Sequence, residues 1–131
     1  MQNKSKSKSL VTDKLSGKKV DSYAYSSFNE MKKAARKAGI NLSITSAYRN
    51  DAYQQKLFDK AVKKYGSVAA ARKWVATPGG SAHRTGRALD IGINGKAVQS
   101  GSKASAWLKK NAKKYGFYPY EAEAWHWEYN P

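Results

Sequence analysis

The sequence predicts an α+β domain: a small, largely antiparallel sheet with helices packed on one side of it. Three observations predict it. Four stretches repeat apolar residues at helical spacing, and three shorter ones alternate apolar with polar side chains. The two kinds follow one another without a regular βαβ rhythm. At 131 residues the chain suffices for one domain and is too short for two.

The first segment, Met1-Gln2-Asn3-Lys4-Ser5-Lys6-Ser7-Lys8-Ser9, has the charge that opens a signal peptide but not the apolar stretch that must follow. It reads as a basic arm, flexible over residues 1–20, before a folded domain over 21–131. Ser27-Phe28-Asn29-Glu30 fits a capping box, and Phe28, Met31, Ala35 and Ala38 follow at helical spacing up to Gly39. Ile40, Leu42 and Ile44 then alternate with Asn41, Ser43 and Thr45 as a strand. A second helix opens at Asp51, with Gln54 three residues on, and stops at Gly66. It carries Tyr53, Leu57, Phe58, Ala61, Val62 and Tyr65 on one side. A shorter helix over about 67–75 is broken by Thr77-Pro78-Gly79-Gly80. Leu89, Ile91 and Ile93 alternate with Ala88, Asp90 and Gly92. The last helix spans about 102–115, with Trp107, Leu108 and Tyr115 inward, and ends at Gly116. Trp125, Trp127 and Tyr129 alternate with Ala124, His126 and Glu128 as the final strand.

Composition removes several kinds of chemistry. There is no cysteine, which excludes disulfide scaffolds, cysteine nucleophiles and thiolate metal sites. No apolar run approaches the ~20 residues that span a bilayer. Lys plus Arg number 25 against 9 Asp plus Glu, a net charge of +16. That balance suits nucleic acid, an anionic membrane surface or an anionic polymer such as a cell wall, and does not choose among them.

The two histidines, His83 and His126, each sit beside acids in segments rich in glycine or aromatics. His83 and Asp90 lie seven residues apart, which on one straight strand would aim them to opposite faces. Gly86 between them lets the chain reverse. Asp90 stands between Ala88 and Gly92, small neighbours that leave room above it. Trp125, Trp127 and Tyr129 fix the strand that carries His126, and Glu123 shares its side only if a bend intervenes. Its carboxylate there would orient the imidazole or act as a general base. Two histidines, one carboxylate and an open position for water form a recurrent catalytic zinc set, with a second carboxylate free to take the water's proton. His83, Asp90, His126 and Glu123 fill those roles and leave no histidine over. Taken singly, each has a plainer reading, as a packed histidine, a cap or a solvated acid.

At these residues the sequence resembles the zinc D-alanyl-D-alanine carboxypeptidases of the VanY type and related peptidoglycan peptidases. Their Ser-x-His-x-x-Gly-x-Ala-x-Asp pattern reads here as Ser81 to Asp90, and their Glu-x-Trp-His as Glu123-Ala124-Trp125-His126. Their Ser-x-Tyr-Arg-x-x-x-x-Gln element appears as Ser46 to Gln54. The resemblance implies a hedgehog/DD-peptidase-like fold and a Zn²⁺ held by His83, Asp90 and His126. It implies Glu123 as general base and then acid, Arg49 beside the scissile carbonyl, and Gln54 and Ser81 lining the substrate site. Family members often carry proline where Ala124 stands, and only six residues, Phe117 to Ala122, join Gly116 to Glu123.

The expected function is a zinc peptidase releasing terminal D-Ala from peptidoglycan stem peptides. The alternative on the same fold is a phage-lysin-type L-alanyl-D-glutamate endopeptidase, favoured by small size and the short connection. The expected partners are the stem peptide and an anionic cell-wall polymer, with the chain a monomer acting at the bacterial wall, periplasmic or extracellular. With no signal peptide in this chain, it would be made in the cytoplasm and released, or be a processed form. A basic nucleic-acid-binding domain is the distant alternative: Lys32, Lys33, Lys37, Lys63, Lys64, Lys109, Lys110, Lys113 and Lys114 could face phosphates. The same lysines lie on polar helix faces and last turns, where solvation is the default and no specific nucleic acid is expected.

Overall fold

The computed structural model describes residues 9–77, 81–120 and 123–131. The expected arm over 1–8 and the helix-breaking Pro78-Gly79-Gly80 lie outside them. Two short strands, β1 (Leu10–Thr12) and β2 (Lys19–Asp21), pair antiparallel. Residues 10–20, expected as part of the arm, therefore form a ribbon rather than a flexible lead.

Helix α1 (Ser22–Lys37) follows at once. It starts five residues before the expected capping box, because Asp21 takes the capping position and its Oδ2 accepts from the Ala24 N–H at 3.0 Å. Ser27 lies inside the helix instead, with its Oγ 3.3 Å from the Tyr129 hydroxyl, and Glu30 pairs with Lys33 at the surface. Ala24, Phe28, Met31 and Ala35 form the buried stripe. Strand β3 (Leu42–Ser46) leads through Asn50, whose side chain caps α2 (Asp51–Tyr65). Only Gln54, Phe58 and Ala61 of α2 are buried, and Tyr53 is exposed. The third helix is shorter than expected, a single turn, α3 (Val68–Ala71), capped by Ser67.

A 3₁₀ turn (Ala82–Thr85) precedes β4 (Ala88–Ile93), the strand buried along nearly its whole length. Asn94 and Gly95, both at positive φ, close a tight hairpin to β5 (Lys96–Ala97). Helix α4 (Lys103–Asn111) tightens into a 3₁₀ turn (Ala112–Tyr115) before Gly116. The connection read from sequence as a short loop begins as a strand, β6 (Phe117–Pro119), antiparallel to β7 (His126–Tyr129). The main sheet runs β3-β4-β7-β6, all neighbours antiparallel, with β5 also on β4.

The core lies between this sheet and the helices. Phe28, Met31, Leu42, Leu89, Ile91, Leu108, Phe117, Trp127 and Tyr129 share one buried cluster. Each large apolar side chain so buried contributes about 1.5–3 kcal/mol. Phe58, Ala61 and Ala71 make a smaller cluster of their own between α2 and α3. Among the described residues, no helix is long and apolar enough to cross a membrane.

Candidate metal centre

Three buried side chains from three elements meet where the central strands β4 and β7 pair: His83, Asp90 and His126. Strand pairing brings two of them together, since Asp90 of β4 stands directly opposite His126 of β7. Such cross-strand partners hold their Cβ atoms about 4.5–5.5 Å apart. The third comes from the 3₁₀ turn, whose cap, Ser81 Oγ, accepts from the His83 N–H at 3.3 Å. Gly86 then reverses the chain in left-handed conformation, φ +77°. A Cβ there would stand 2.6 Å from Leu10 Cδ2 and 3.0 Å from the Asp21 nitrogen, so the β1–β2 ribbon packs directly on this bend.

The imidazoles are oriented by their outer nitrogens. His83 Nδ1 lies 2.6 Å from the Ala47 carbonyl, which can only accept, so Nδ1 carries the proton and the Nε2 lone pair faces inward. His126 shows the same logic with its nitrogens exchanged: Nε2 stands 3.4 Å from Glu128 Oε2, and Nδ1 points to the centre. Both inner nitrogens lie 3.3 Å from one atom, Asp90 Oδ1. Neither approach has hydrogen-bond geometry, and that oxygen is buried without a donor among the described residues. Three lone pairs thus converge within 4.8 Å of one another with no proton shared between them. An orphaned carboxylate oxygen between two imidazole nitrogens fits a divalent cation, and nitrogen with carboxylate oxygen is a donor set suited to zinc.

Charge follows the geometry. Burial opposes the negative charge on Asp90, but the close approach of His126 and His83, and then their charges, outweigh it. The carboxyl is held well below the usual carboxylate range. Burial likewise opposes an imidazolium at His126. Asp90 outweighs it, with help from the charges of Glu128 and Glu123, and raises the His126 pKa above its ordinary value.

The other expected site residues fall at differing distances from this cluster. Glu123 lies before a bend: the His126 N–H donates to the Glu123 carbonyl at 3.2 Å, closing a turn over Ala124 and Trp125. Arg49 reaches the cluster, with Nη2 at 3.4 Å from Asp90 Oδ2 and Nε donating to Ser46 Oγ at 3.2 Å. Its backbone N–H also donates to the His83 carbonyl at 3.1 Å. Gln54 is buried and its Nε2 donates to the Ala76 carbonyl at 2.8 Å, leaving Oε1 without a donor among the described residues. Ser81 is engaged as the cap of His83.

Beside Asp90, Gly92 is closely packed, because a Cβ there would meet the Lys96 carbonyl at 2.5 Å and Thr45 Cγ2 at 2.6 Å. Sequence reasoning missed two orienting groups. Glu128 carries a signal, since it lies two residues from His126 on the same strand face. The Ala47 carbonyl carries none, because any residue has one. Tyr120 was missed as well; its exposed ring meets the His126 ring edge-on with centroids 5.4 Å apart.

The family model described as VanY, D-alanyl-D-alanine carboxypeptidase, matches residues 17–131. A curated D-alanyl-D-alanine carboxypeptidase from Enterococcus faecalis (strain ATCC 700802 / V583) is 30% identical over 132 aligned positions, covering 86% of this chain and 49% of the relative. The chain spans less than half the length of the curated relatives it matches. Among solved structures, VanYB in complex with D-alanine-D-alanine superposes with a TM-score of 0.81 at 28% identity, over 98% of this chain and 81% of that one. A mutant of the D,D-pentapeptidase VanY from a VanB-type resistance cassette, in complex with Zn(II), gives 0.80 at 28% identity and the same coverage. These matches agree with the mixed helix-and-sheet architecture and with the cluster's capacity for a metal.

Proposed function

The chain belongs to the VanY family of D-alanyl-D-alanine carboxypeptidases, and we propose that it is a zinc peptidase releasing the terminal D-alanine of peptidoglycan stem peptides at the bacterial cell wall. The observation that carries this reading is the convergence of His83 Nε2, His126 Nδ1 and Asp90 Oδ1 around one point. The three would hold the ion and leave a position for solvent. When bound, zinc supplies Lewis acidity and brings the pKa of water from 15.7 to about 7.

The protein's own groups do the rest. Glu123 takes the proton of the attacking water and returns it to the leaving amine. Its placement before the turn into β7 supports that role, because the turn fixes it relative to His126. Arg49 spends Nε on Ser46 and Nη2 on Asp90, which leaves Nη1 to donate to the carbonyl oxygen as charge builds there. One such donor is typically worth ~2.7–4 kcal/mol. The free Oε1 of Gln54 supports a place for its amide in the substrate site, and Ser81 contributes by holding His83. An anionic wall polymer is the second partner this reading includes, given the charge of +16.

The test is metal analysis of wild type beside Glu123→Ala, with hydrolysis of purified muropeptides measured on both by mass spectrometry. Wild type should remove a single alanine from the pentapeptide stem, and the variant should keep its zinc and lose turnover. Equal hydrolysis by both would remove Glu123 from the chemistry. Cleavage inside the stem would replace the carboxypeptidase reading with an L-alanyl-D-glutamate endopeptidase.

A further inference from the structure

The α2–α3 hairpin carries a feature that the peptidase reading does not use. Trp74 is 67% exposed and stacks on Tyr65, with ring centroids 5.6 Å apart and planes 18° from parallel. Beside this pair Lys64, Arg72 and Lys73 are exposed, and the same hairpin exposes Lys56, Lys60 and Lys63. None of the six forms an ion pair among the described residues, whereas the two acids of the same segment are engaged, Asp51 with Arg84 and Asp59 with Gln55. The Lys64 ammonium lies 5.3 Å from the Tyr65 ring centroid, so one cation already sits on the aromatic stack. The hairpin therefore presents an exposed aromatic pair together with a strong positive charge.

We propose that this hairpin is an accessory binding surface for an anionic glycopolymer, in which a sugar ring lies on the outer face of Trp74 and phosphate groups meet the lysines of the hairpin and Arg72. The proposal rests on the wall-peptidase reading and deepens it by locating the second partner. Charge complementarity fixes the sign of the ligand. The stack argues for a sugar rather than a single-stranded nucleic acid. Successive bases need successive open aromatic faces, and here Trp74 and Tyr65 cover one face of each other while the Lys64 ammonium lies over the Tyr65 ring, leaving the outer face of Trp74 as the platform.

The surface stands apart from the metal centre. Helix α2 begins beside Arg49 and ends at Tyr65, fourteen residues on, a span of about 21 Å at about 1.5 Å per residue. A five-residue stem reaches at most about 18 Å at ~3.3–3.6 Å per residue. A soluble stem peptide seated at the centre thus stays short of the far end of the hairpin, and the two sites can be tested separately.

The test is co-sedimentation with purified Gram-positive cell walls, intact or stripped of phosphodiester polymers by hydrofluoric acid, using wild type, Trp74→Ala and the Lys63→Gln/Lys64→Gln double variant. Binding to intact walls should weaken about tenfold in Trp74→Ala, the scale of losing one stacking partner. It should weaken in the double variant too, and for wild type on stripped walls. Hydrolysis of soluble muropeptides should stay at the wild-type level in all three proteins, so failure of the docking surface is distinguishable from failure of the peptidase reading. Circular dichroism confirms that each variant is folded, and the double variant leaves the aromatic pair in place if Trp74→Ala is not. Wild-type binding that survives stripping, or sedimentation of both variants like wild type, overturns the proposal. So does single-stranded DNA that displaces wild type from intact walls at the same salt and binds Trp74→Ala more weakly, which would assign the surface to nucleic acid.

Discussion

Replacing Gly86 by alanine should be among the more damaging single-methyl changes in this protein. Two costs add at that position. A residue with a Cβ held at φ +77° is disfavoured by roughly 1–2 kcal/mol. The new methyl also stands 2.6 Å from Leu10 Cδ2 and 3.0 Å from the Asp21 nitrogen. The leucine tip can swing aside, but the Asp21 nitrogen cannot: its N–H donates to the Gly86 carbonyl at 2.9 Å, and Asp21 caps α1. Overpacking of that kind costs typically ~1–3 kcal/mol. The sum, about 2–5 kcal/mol, is a large share of the ~5–15 kcal/mol by which a domain is stable. Gly95 supplies the control, because it has φ +81° with nothing within 4 Å of its Cβ. Gly95→Ala should therefore lose only the conformational part. Urea unfolding of the metal-free proteins should separate the two variants by about 1–3 kcal/mol, the contact term alone. Since Gly86 lies between His83 and Asp90, its variant should also bind zinc more weakly, while Gly95→Ala should not. Equal destabilisation by the two substitutions would show that the ribbon does not press on the bend, and the argument for its positioning role would fail.

Other predictions concern the cluster itself. Glu128→Ala should weaken zinc binding roughly 10–100-fold, the usual effect of losing a partner that orients a ligating histidine. Glu128→Gln should recover part of that loss because its amide oxygen still accepts; competition with a chromophoric chelator reads both, and wild-type affinity in the alanine variant would reject the orienting role. In the metal-free protein, the raised pKa of His126 gives stability that is complete below its unfolded value of about 6.5 and is lost as pH rises through the folded value. The depressed pKa of Asp90 gives stability present above about 3.9 and lost as pH falls through the folded value. Zinc competes with the imidazole proton, so the rise in Tm on adding zinc should grow between about pH 5 and pH 7.5 and vanish with chelator. A rise independent of pH would mean that the ion is not held by imidazole.

Much of the fold was legible because its signals are local. The alternation over 88–93 and 125–129 marked the two central strands, and Asn50 with Gly66 bounds α2 close to the expected ends. The start of α1 was misread because two capping signals compete within seven residues. Asp21 prevails in the fold, where Arg87 Nε lies 3.5 Å from its Oδ2 and the Gly86 carbonyl accepts from its N–H, contacts invisible along the chain. Strand β6 was missed because three residues ending in proline carry too little period to declare themselves.

Sequence by itself determined the chemistry available: two histidines, a neighbouring aspartate and a glutamate before a tryptophan, with no cysteine to offer another route. It also determined the strand faces, because alternation assigns each side chain to core or solvent before any partner strand is known. Tertiary structure alone decided which atoms meet. The β4–β7 register sets Asp90 opposite His126, the left-handed bend at Gly86 swings His83 over them, and the Ala47 carbonyl and Glu128 choose which nitrogen of each ring looks inward. Register and ring orientation depend on groups distant in the chain, whereas residue type and period are properties of the chain itself.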